Sequence, residues 1–266
     1  MRTVRALRNT WGVREYILAS VKRDFVSRYL GTQLGWFWVI AQPVAMILIY
    51  AIVFAGIMKP ALPGSDQPFA YIIYLCAGMI LWQLFAELLN RSINIFVGNA
   101  DLLKKVNLPK FALPAMVTLS AILNFLVVFA VFVGFLTTIG RAPGLEIFAI
   151  VPAILIVVAF AAGLGILLGT INVFYRDVAQ TAGLLLNFWF WLTPIVYPSR
   201  SLPEWLAALL EWNPMWPPVR FAQTLFLDRV VGNWDSLIYP AVVAVALCVL
   251  ALHVFRQLGG EMVDEL

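Results

Sequence analysis

The chain has 266 residues, a formal net charge of +4 and a mean hydropathy of +0.90. Hydrophobic residues make up 62% of it and charged residues only 12%, which excludes a water-soluble domain with a polar exterior and indicates that lipid surrounds most of the chain. The two cysteines, Cys76 and Cys248, lie inside apolar runs, so the sequence predicts neither a disulfide framework nor a metal site.

The N-terminal segment, residues 1–33, is basic and precedes the first apolar run. That run starts too late and is too long for the roughly 7–15-residue core of a signal peptide, so we expect no secretory signal. The segment is predicted to form an amphipathic helix in the headgroup region, because apolar residues recur every four positions and charges occupy the other faces. A helix packed on another domain has the same pattern. The apolar residues are Val13, Ile17, Val21, Phe25 and Tyr29.

Six apolar stretches approach or exceed the roughly 20 residues that a membrane-spanning helix needs. An even number of spans places both termini on one side, and most Lys and Arg residues fall on that side, so both termini are expected in the cytoplasm. The sequence thus predicts an all-α integral membrane protein, with a six-helix domain over 34–256 and a short cytoplasmic tail over 257–266. The spans are 34–58, 69–90, 113–139, 145–175, 178–198 and 237–256.

A short helix is predicted on the cytoplasmic side between the second and third spans. Asn99 suits its N-cap, Lys104 and Lys105 suit its last turn, and Pro109 ends it. An apolar ridge of Leu102, Leu103 and Val106 would then face a partner protein or fold back on the bundle.

Two further short helices are predicted between the fifth and sixth spans, on the exterior side. Pro203 and Pro218 suit first-turn positions, and Asn213-Pro214 interrupts the chain between the helices. The helices should dip into the outer leaflet. Trp205, Trp212 and Trp216 suit either an interfacial aromatic belt or stacking on sugar rings.

Within the spans, small residues and charges carry further predictions. Gly165 and Gly169 should let neighbouring backbones approach closely, and so should Gly31 and Gly35. Pro43 and Pro194 should kink their helices. Glu87 and Arg91 lie one turn apart near the end of the second span and should pair at the membrane boundary, while His253 is expected at the interface.

Motifs in a fixed order along the chain resemble those of one transporter family. They are Arg23-Asp24-Phe25, Arg28-Tyr29-Leu30-Gly31-Thr32, Leu34-Gly35, Trp38, Pro43, Asn99, Leu102-Leu103-Lys104-Lys105-Val106, Leu108-Pro109, Leu113-Pro114, Phe174-Tyr175-Arg176-Asp177-Val178, Thr193-Pro194-Ile195-Val196-Tyr197-Pro198 and Asn213-Pro214-Met215. Over essentially its whole length the chain resembles the permease subunits of ABC-2-type polysaccharide exporters, which carry O-antigen, capsule or teichoic acid.

The resemblance implies a homodimer in the bacterial inner membrane, joined to two separate ATPase subunits, with lipid-linked polysaccharide as substrate. The chain has no G-x-x-x-x-G-K-[ST] motif, so ATP and Mg are expected on the partner. Neither a nucleic-acid partner nor a catalytic residue is predicted.

The resemblance also assigns three groups of residues to roles. The coupling helix, at about 99–108, and the turn after the fourth span would contact the ATPase through Asn99, Asp101, Leu102, Leu103, Lys104, Lys105, Val106, Arg176 and Asp177. Spans one and five would line a pore, with Trp36, Phe37, Tyr50, Phe54, Trp189 and Tyr197 as candidate polymer contacts. A periplasmic gate at about 203–227 would include Trp205, Trp212, Asn213, Pro214, Trp216 and Arg220.

Other functions fit the sequence less well. An ion-coupled secondary transporter would need an acid or base near the midplane and inverted repeats, and neither is evident. A membrane enzyme would need a cluster of catalytic polar residues. An ABC-2 permease for a drug or a small lipid keeps the same architecture, but the tight loops and the exterior helix pair favour a polymer.

Overall fold

The computed structural model describes residues 2–29, 35–50, 52–53, 69–105, 111–199 and 202–265, and these residues contain helices and turns but no strand. The α-helices are α1 (Arg2–Tyr29), α2 (Gly35–Tyr50), α3 (Ala70–Ile93), α4 (Ile95–Gly98), α5 (Ala100–Lys105), α6 (Ala112–Thr138), α7 (Val151–Phe174), α8 (Asp177–Leu192), α9 (Glu204–Glu211), α10 (Trp216–Asp228), α11 (Ile238–Leu258) and α12 (Glu261–Glu265). Short 3₁₀ helices, Leu145–Ile150 and Trp234–Leu237, lead into α7 and α11.

Among the described residues, four helical segments are long and apolar enough to cross a bilayer: Ala70–Ile93, Ala112–Thr138, Leu145–Phe174 and Trp234–Leu258. Each coincides with a predicted span to within a few residues. For the first predicted span the structure describes α2 and, within it, a shorter apolar helix at Ile40–Ile49; residues 54–58 lie outside the described part.

The fifth predicted span, 178–198, is shorter in the structure than in the prediction. α8 ends at Leu192, and Thr193 is extended with a ψ of 124°. Pro194 therefore follows the helix and does not kink it, because a proline disfavours helical backbone at the residue before it. Pro43, by contrast, lies inside α2 as predicted.

Packing of α7 against α3 and α11 forms the centre of the bundle. A Cβ atom placed on Gly165 would lie 2.4 Å from the Ser92 Cβ, and one on Gly169 would lie 2.5 Å from the Ser92 carbonyl oxygen. Only glycine allows α7 to approach α3 this closely, as the spacing of these two glycines predicts. Residue 31 of the other predicted glycine pair lies outside the described residues.

Aromatic rings fill the space between α3, α7 and α8. The rings of Phe85 and Phe160 stack with centroids 5.4 Å apart, and Trp189 packs edge-on against Phe85 at 5.2 Å. Phe85 is completely buried. Aromatic pairs of this geometry add to the apolar burial that holds helices together, and here they fix α8 against the central pair.

One face of α1 contacts the rest of the chain. α1 packs along α6, with Val21 only 4% exposed and with Ile17 and Phe25 partly buried. The apolar stripe that predicts contact with the headgroup region is therefore partly covered by the chain's own third predicted span. Leu18 and Val26 remain exposed on a neighbouring face.

The two short helices after the fifth predicted span are present as α9 and α10. Pro203 is the N-cap of α9, and Pro217 and Pro218 occupy the first turn of α10. α10 packs on α3 and α7 and buries most of its length. α9 is more exposed, with Trp205 at 66% and Leu209 at 56%.

Candidate functional site

The bundle has two ends, which α3 connects. At one end Arg91 of α3 forms an ion pair with Asp24 of α1, and this end is called the α1 end. At the other, the α10 end, the Tyr74 hydroxyl donates to the Pro194 carbonyl at 3.0 Å, and the Tyr71 hydroxyl donates to the Val196 carbonyl. These bonds hold the segment after α8 against the start of α3.

The described ATPase-coupling residues follow two helices that end at the α1 end: Asn99, Asp101 and Lys104 come after α3, and Arg176 and Asp177 come directly after α7. Buried Asn172 holds the end of α7 there: its amide donates to the Ile93 carbonyl at 3.2 Å, and its oxygen accepts from the Ala179 N–H at 3.1 Å. This side chain ties the end of α7 to α3 and to the first turn of α8, beside which Arg176 and Asp177 are exposed.

The short helix α5 confirms that a helix forms between the second and third predicted spans. Asp101 and Lys104 are exposed on it, and α12 packs against it. The side chains of Leu102, Leu103 and Lys105, and all of Val106, lie outside the described part of the structure. The predicted apolar ridge therefore stays a prediction.

Asn99 differs from the expected N-cap. Its side-chain amide donates to the Ile95 carbonyl at 2.8 Å, four residues earlier, and its backbone N–H donates to the Phe96 carbonyl. The side chain thus closes the end of α4, because the short α4 comes directly before α5 and leaves its last carbonyls in need of a donor.

A polar network joins α1, α3 and α6 near the same end. Arg91 lies 2.7 Å from Asp24 and 3.3 Å from Glu87, and the second Glu87 oxygen accepts from the Asn124 amide at 2.6 Å. The predicted pairing of Glu87 with Arg91 is confirmed. In addition, Asp24 is a partner of Arg91 and Asn124 is a partner of Glu87. The one-turn spacing of Glu87 and Arg91 does not predict either contact.

Two cavities flank α3 next to this network. One, of about 510 Å³, lies between α2, α3 and α6 and is lined by Gln42, Gln83, Glu87 and Asn124 among apolar residues. The other, of about 420 Å³, lies between α3 and α8 and includes three carboxamide side chains, those of Asn90, Gln180 and Asn187. Trp82 and Ala86 line both cavities.

The predicted pore aromatics fall into different environments. Phe37 is 60% exposed on α2. Trp189 is partly buried and packs on core rings of its own chain, and its contact with the polymer stays a prediction. The Tyr197 hydroxyl donates to the Trp191 carbonyl. Phe54 and the side chains of Trp36 and Tyr50 lie outside the described residues.

Among the predicted gate residues, Asn213 lies in the turn between α9 and α10 and makes the most hydrogen bonds. The Asn213 oxygen accepts from the Trp189 indole N–H at 2.9 Å and from the Met215 N–H at 3.0 Å, and its amide donates to the Thr193 hydroxyl at 2.9 Å. Pro214 follows in the turn. Of the other members, Trp205, Trp212 and Arg220 are exposed, whereas Trp216 is only 8% exposed and packs in the core.

Comparison with known proteins identifies the family. A family model described as ABC-2 type transporter matches residues 15–227. The matched range includes α3, α5, the buried Asn172 at the end of α7, and the turn between α9 and α10 that contains Asn213, called the Asn213 turn. The chain belongs to the ABC-2 type transporter family. This ABC-2 transporter is 28% identical over 253 residues, 95% of each chain, to the O-antigen export system permease protein RfbA of Klebsiella pneumoniae.

Two other relatives of this ABC-2 transporter have related names. The O-antigen export system permease protein RfbA of Myxococcus xanthus is 26% identical and covers 99% of this chain and 100% of its own. The polysialic acid transport protein KpsM of Escherichia coli is 22% identical, over 91% of this chain and 93% of its own. The likeness in each case extends over nearly the whole of both proteins.

Sequence reasoning missed several polar side chains of this ABC-2 transporter. Asn172 and Asn124 make interhelical hydrogen bonds, and Asn90, Gln180 and Asn187 line the cavity beside α8. One signal was available: carboxamides are costly in hydrocarbon, so each one inside an apolar span marks a protein contact or a hydrated surface.

Proposed function

We propose that this chain is the membrane subunit of an ATP-driven exporter of lipid-linked polysaccharide, with O-antigen as its first substrate class. The observation that carries the proposal is the family match together with full-length likeness to two O-antigen export permeases. Capsular polysaccharide is the second candidate, because the likeness to a polysialic acid transport protein also covers most of both chains.

The proposed assembly is a homodimer of six-span subunits in the bacterial inner membrane, with both termini in the cytoplasm and two ATPase subunits below. In this orientation the α1 end is cytoplasmic and the α10 end faces the periplasm. ATP and Mg belong to the ATPase subunits. Asp101, Lys104, Arg176 and Asp177 support an ATPase contact at the α1 end, because all four are charged and exposed there.

Mechanical coupling would then follow the described contacts. Displacement of α5 by the ATPase is passed to α7 through α4 and α12, which both pack against α7. Asn172 connects the end of α7 to α3 and to the start of α8. Movement of α8 relative to α3 would widen the path for the polymer, and the Asn213 turn would transmit it to α9 and α10.

The test uses the permease purified with its ATPase and reconstituted in vesicles. Replacing Leu102 and Leu103 with Ser should abolish co-purification of the ATPase and reduce ATP-dependent transport of lipid-linked O-polysaccharide at least about tenfold, because an apolar docking ridge is lost. The control is Leu145→Ser, an 84% exposed residue at the opposite end. Wild-type export by the double variant, or export by the permease alone, would contradict the proposal.

A further inference from the structure

The part of α3 that remains uncovered is polar. Of the helix Ala70–Ile93, all residues are buried except Met79, Gln83, Ala86, Glu87, Asn90 and Arg91. Their spacing of three and four residues places them on one face, and four of the six are polar. A central helix that is otherwise enclosed by its own chain therefore presents a hydrophilic stripe, which runs toward the α1 end.

Helix α8 presents a matching polar face to the same groove. Gln180, Gly183 and Asn187 follow each other at intervals of three and four residues and line the 420 Å³ cavity with Asn90 of α3. Another face of α8 exposes Leu185 and Phe188, 60% and 67% exposed, as expected for contact with lipid. The amides of α8 therefore lie on the groove side of the helix, where Leu184 and Leu186 also line the cavity.

The amides of this groove are available for a ligand. Within the part of the chain that the structure describes, no hydrogen bond engages the side chain of Asn90 or Gln180. The Asn187 amide donates to the Gly183 carbonyl at 3.1 Å and leaves its oxygen as an acceptor. Uncharged polar groups persist at membrane depth where they face a water-filled cavity or another protein.

Resting on the proposed function, we infer that the groove between α3 and α8 binds the sugar units of the polymer through Asn90, Gln180 and Asn187. A carboxamide both donates and accepts hydrogen bonds, which matches the vicinal hydroxyls of a pyranose. The cavity volume of about 420 Å³ falls within the roughly 300–1,000 Å³ of small-molecule sites. Phe190, which is partly buried and packs on the buried ring of Trp82 with centroids 5.6 Å apart, lines the same groove and offers apolar surface to the sugar C–H edges.

The lining also suits a polymer that must move. The residues around this cavity carry no charge, so each sugar is held only by neutral hydrogen bonds, which are weaker than those that involve a charged group. Contacts of this strength form and break as successive sugars pass. These amides on α3 and α8 would contact the polymer in the cytoplasmic half of its path. They add polar contacts to the aromatic contacts that the sequence predicts on spans one and five.

The first test replaces the three amides with Leu in the permease–ATPase complex. Gln257→Leu is the matched control, because this exposed glutamine lies on α11, away from α3 and α8. Export of lipid-linked polysaccharide into vesicles by the assembled triple variant should fall at least about tenfold, as expected for the loss of two or three hydrogen bonds, whereas the Gln257→Leu complex should export and hydrolyse ATP like the wild type. Unchanged export by the triple variant would overturn the inference but not the proposed function. A wild-type complex that exports no polysaccharide would overturn the proposed function itself.

A second measurement distinguishes a sugar groove from an interface with another copy. In a background with Cys76 and Cys248 replaced by Ala, Asn187→Cys is treated with a water-soluble maleimide. Labelling that lipid-linked O-polysaccharide slows would support a hydrated, sugar-binding groove. An oxidised disulfide between two copies at this position, with no labelling, would show that a second chain occupies the groove and would overturn the inference.

Discussion

At the scale of single residues, Asn213 joins three segments at the α10 end. Asn213→Ala should lower stability by about 1–3 kcal/mol, because it leaves the Trp189 indole N–H and the Thr193 hydroxyl without this partner. The measurement is the thermal unfolding midpoint of the purified protein in detergent. Asn233→Ala, which removes a single exposed capping bond, should lower the midpoint less. Equal midpoints for the two variants would contradict the role of Asn213.

Gly169 tests the close contact between α7 and α3. Gly169→Ala places a methyl group 2.5 Å from the Ser92 carbonyl oxygen, so α7 must shift away from backbone that cannot yield. A loss of about 1–3 kcal/mol is expected, as for other overpacked sites. The control is Gly134→Ala on α6, where nothing lies within 4 Å of the new Cβ and where stability should hold or rise. The same thermal unfolding assay checks both variants.

At the scale of elements, the ion pair of Asp24 with Arg91 attaches α1 to α3. Asp24→Asn and Arg91→Gln should be non-additive in a double-mutant cycle, with a coupling of about 0.5–1 kcal/mol. The value is small because the two side chains are 33% and 20% exposed. Stability in detergent is the measurement, repeated at high salt, where the coupling should shrink. Full additivity at low salt would show that the pair does not hold α1.

The short helices and the end of α8 show which helix boundaries can be predicted from local sequence and which cannot. Pro203 and Pro218 predicted both helices, because proline suits the first turn of a helix; Pro218 lies in the first turn of α10, and Pro203 lies one position earlier, at the N-cap of α9. The fifth span illustrates the opposite case. Its apolar run continues to Pro198 and suggests a longer helix. In the structure the segment after α8 is not helical, and the Tyr74 hydroxyl donates to the Pro194 and Tyr197 carbonyl oxygens there. That partner is more than a hundred residues away in the chain, so no local pattern could indicate it.

At the scale of the whole molecule, the proposed topology makes a direct prediction. A fluorescent protein that folds only in the cytoplasm should be active when fused after Gly259. A phosphatase that needs the periplasm should be active when inserted after Asp228, in the turn that follows α10. The reason is the excess of Lys and Arg at the α1 end. Activity of the phosphatase when it is fused after Gly259 would show that this end faces the periplasm and would contradict the proposed topology.

The sequence by itself determined the membrane environment, the positions of the four long apolar helices and the short helix between the second and third predicted spans. These follow from hydropathy, span length and the helix-breaking prolines, all of which act locally. It also indicated the Glu87–Arg91 pair and the close approach at Gly165 and Gly169, since one-turn spacings decide both.

Only the tertiary structure decided where polar side chains inside the spans point. Asp24 reaches Arg91, Asn172 ties three helices together, and Asn90 meets Gln180 and Asn187 across a groove. Trp216 is buried in the core and Trp189 packs partly buried against Phe85, although their sequence context equally suits a pore or an interface. Each of these placements depends on how α3, α7, α8 and α10 pack, and an apolar span gives nearly the same local pattern whichever face is covered.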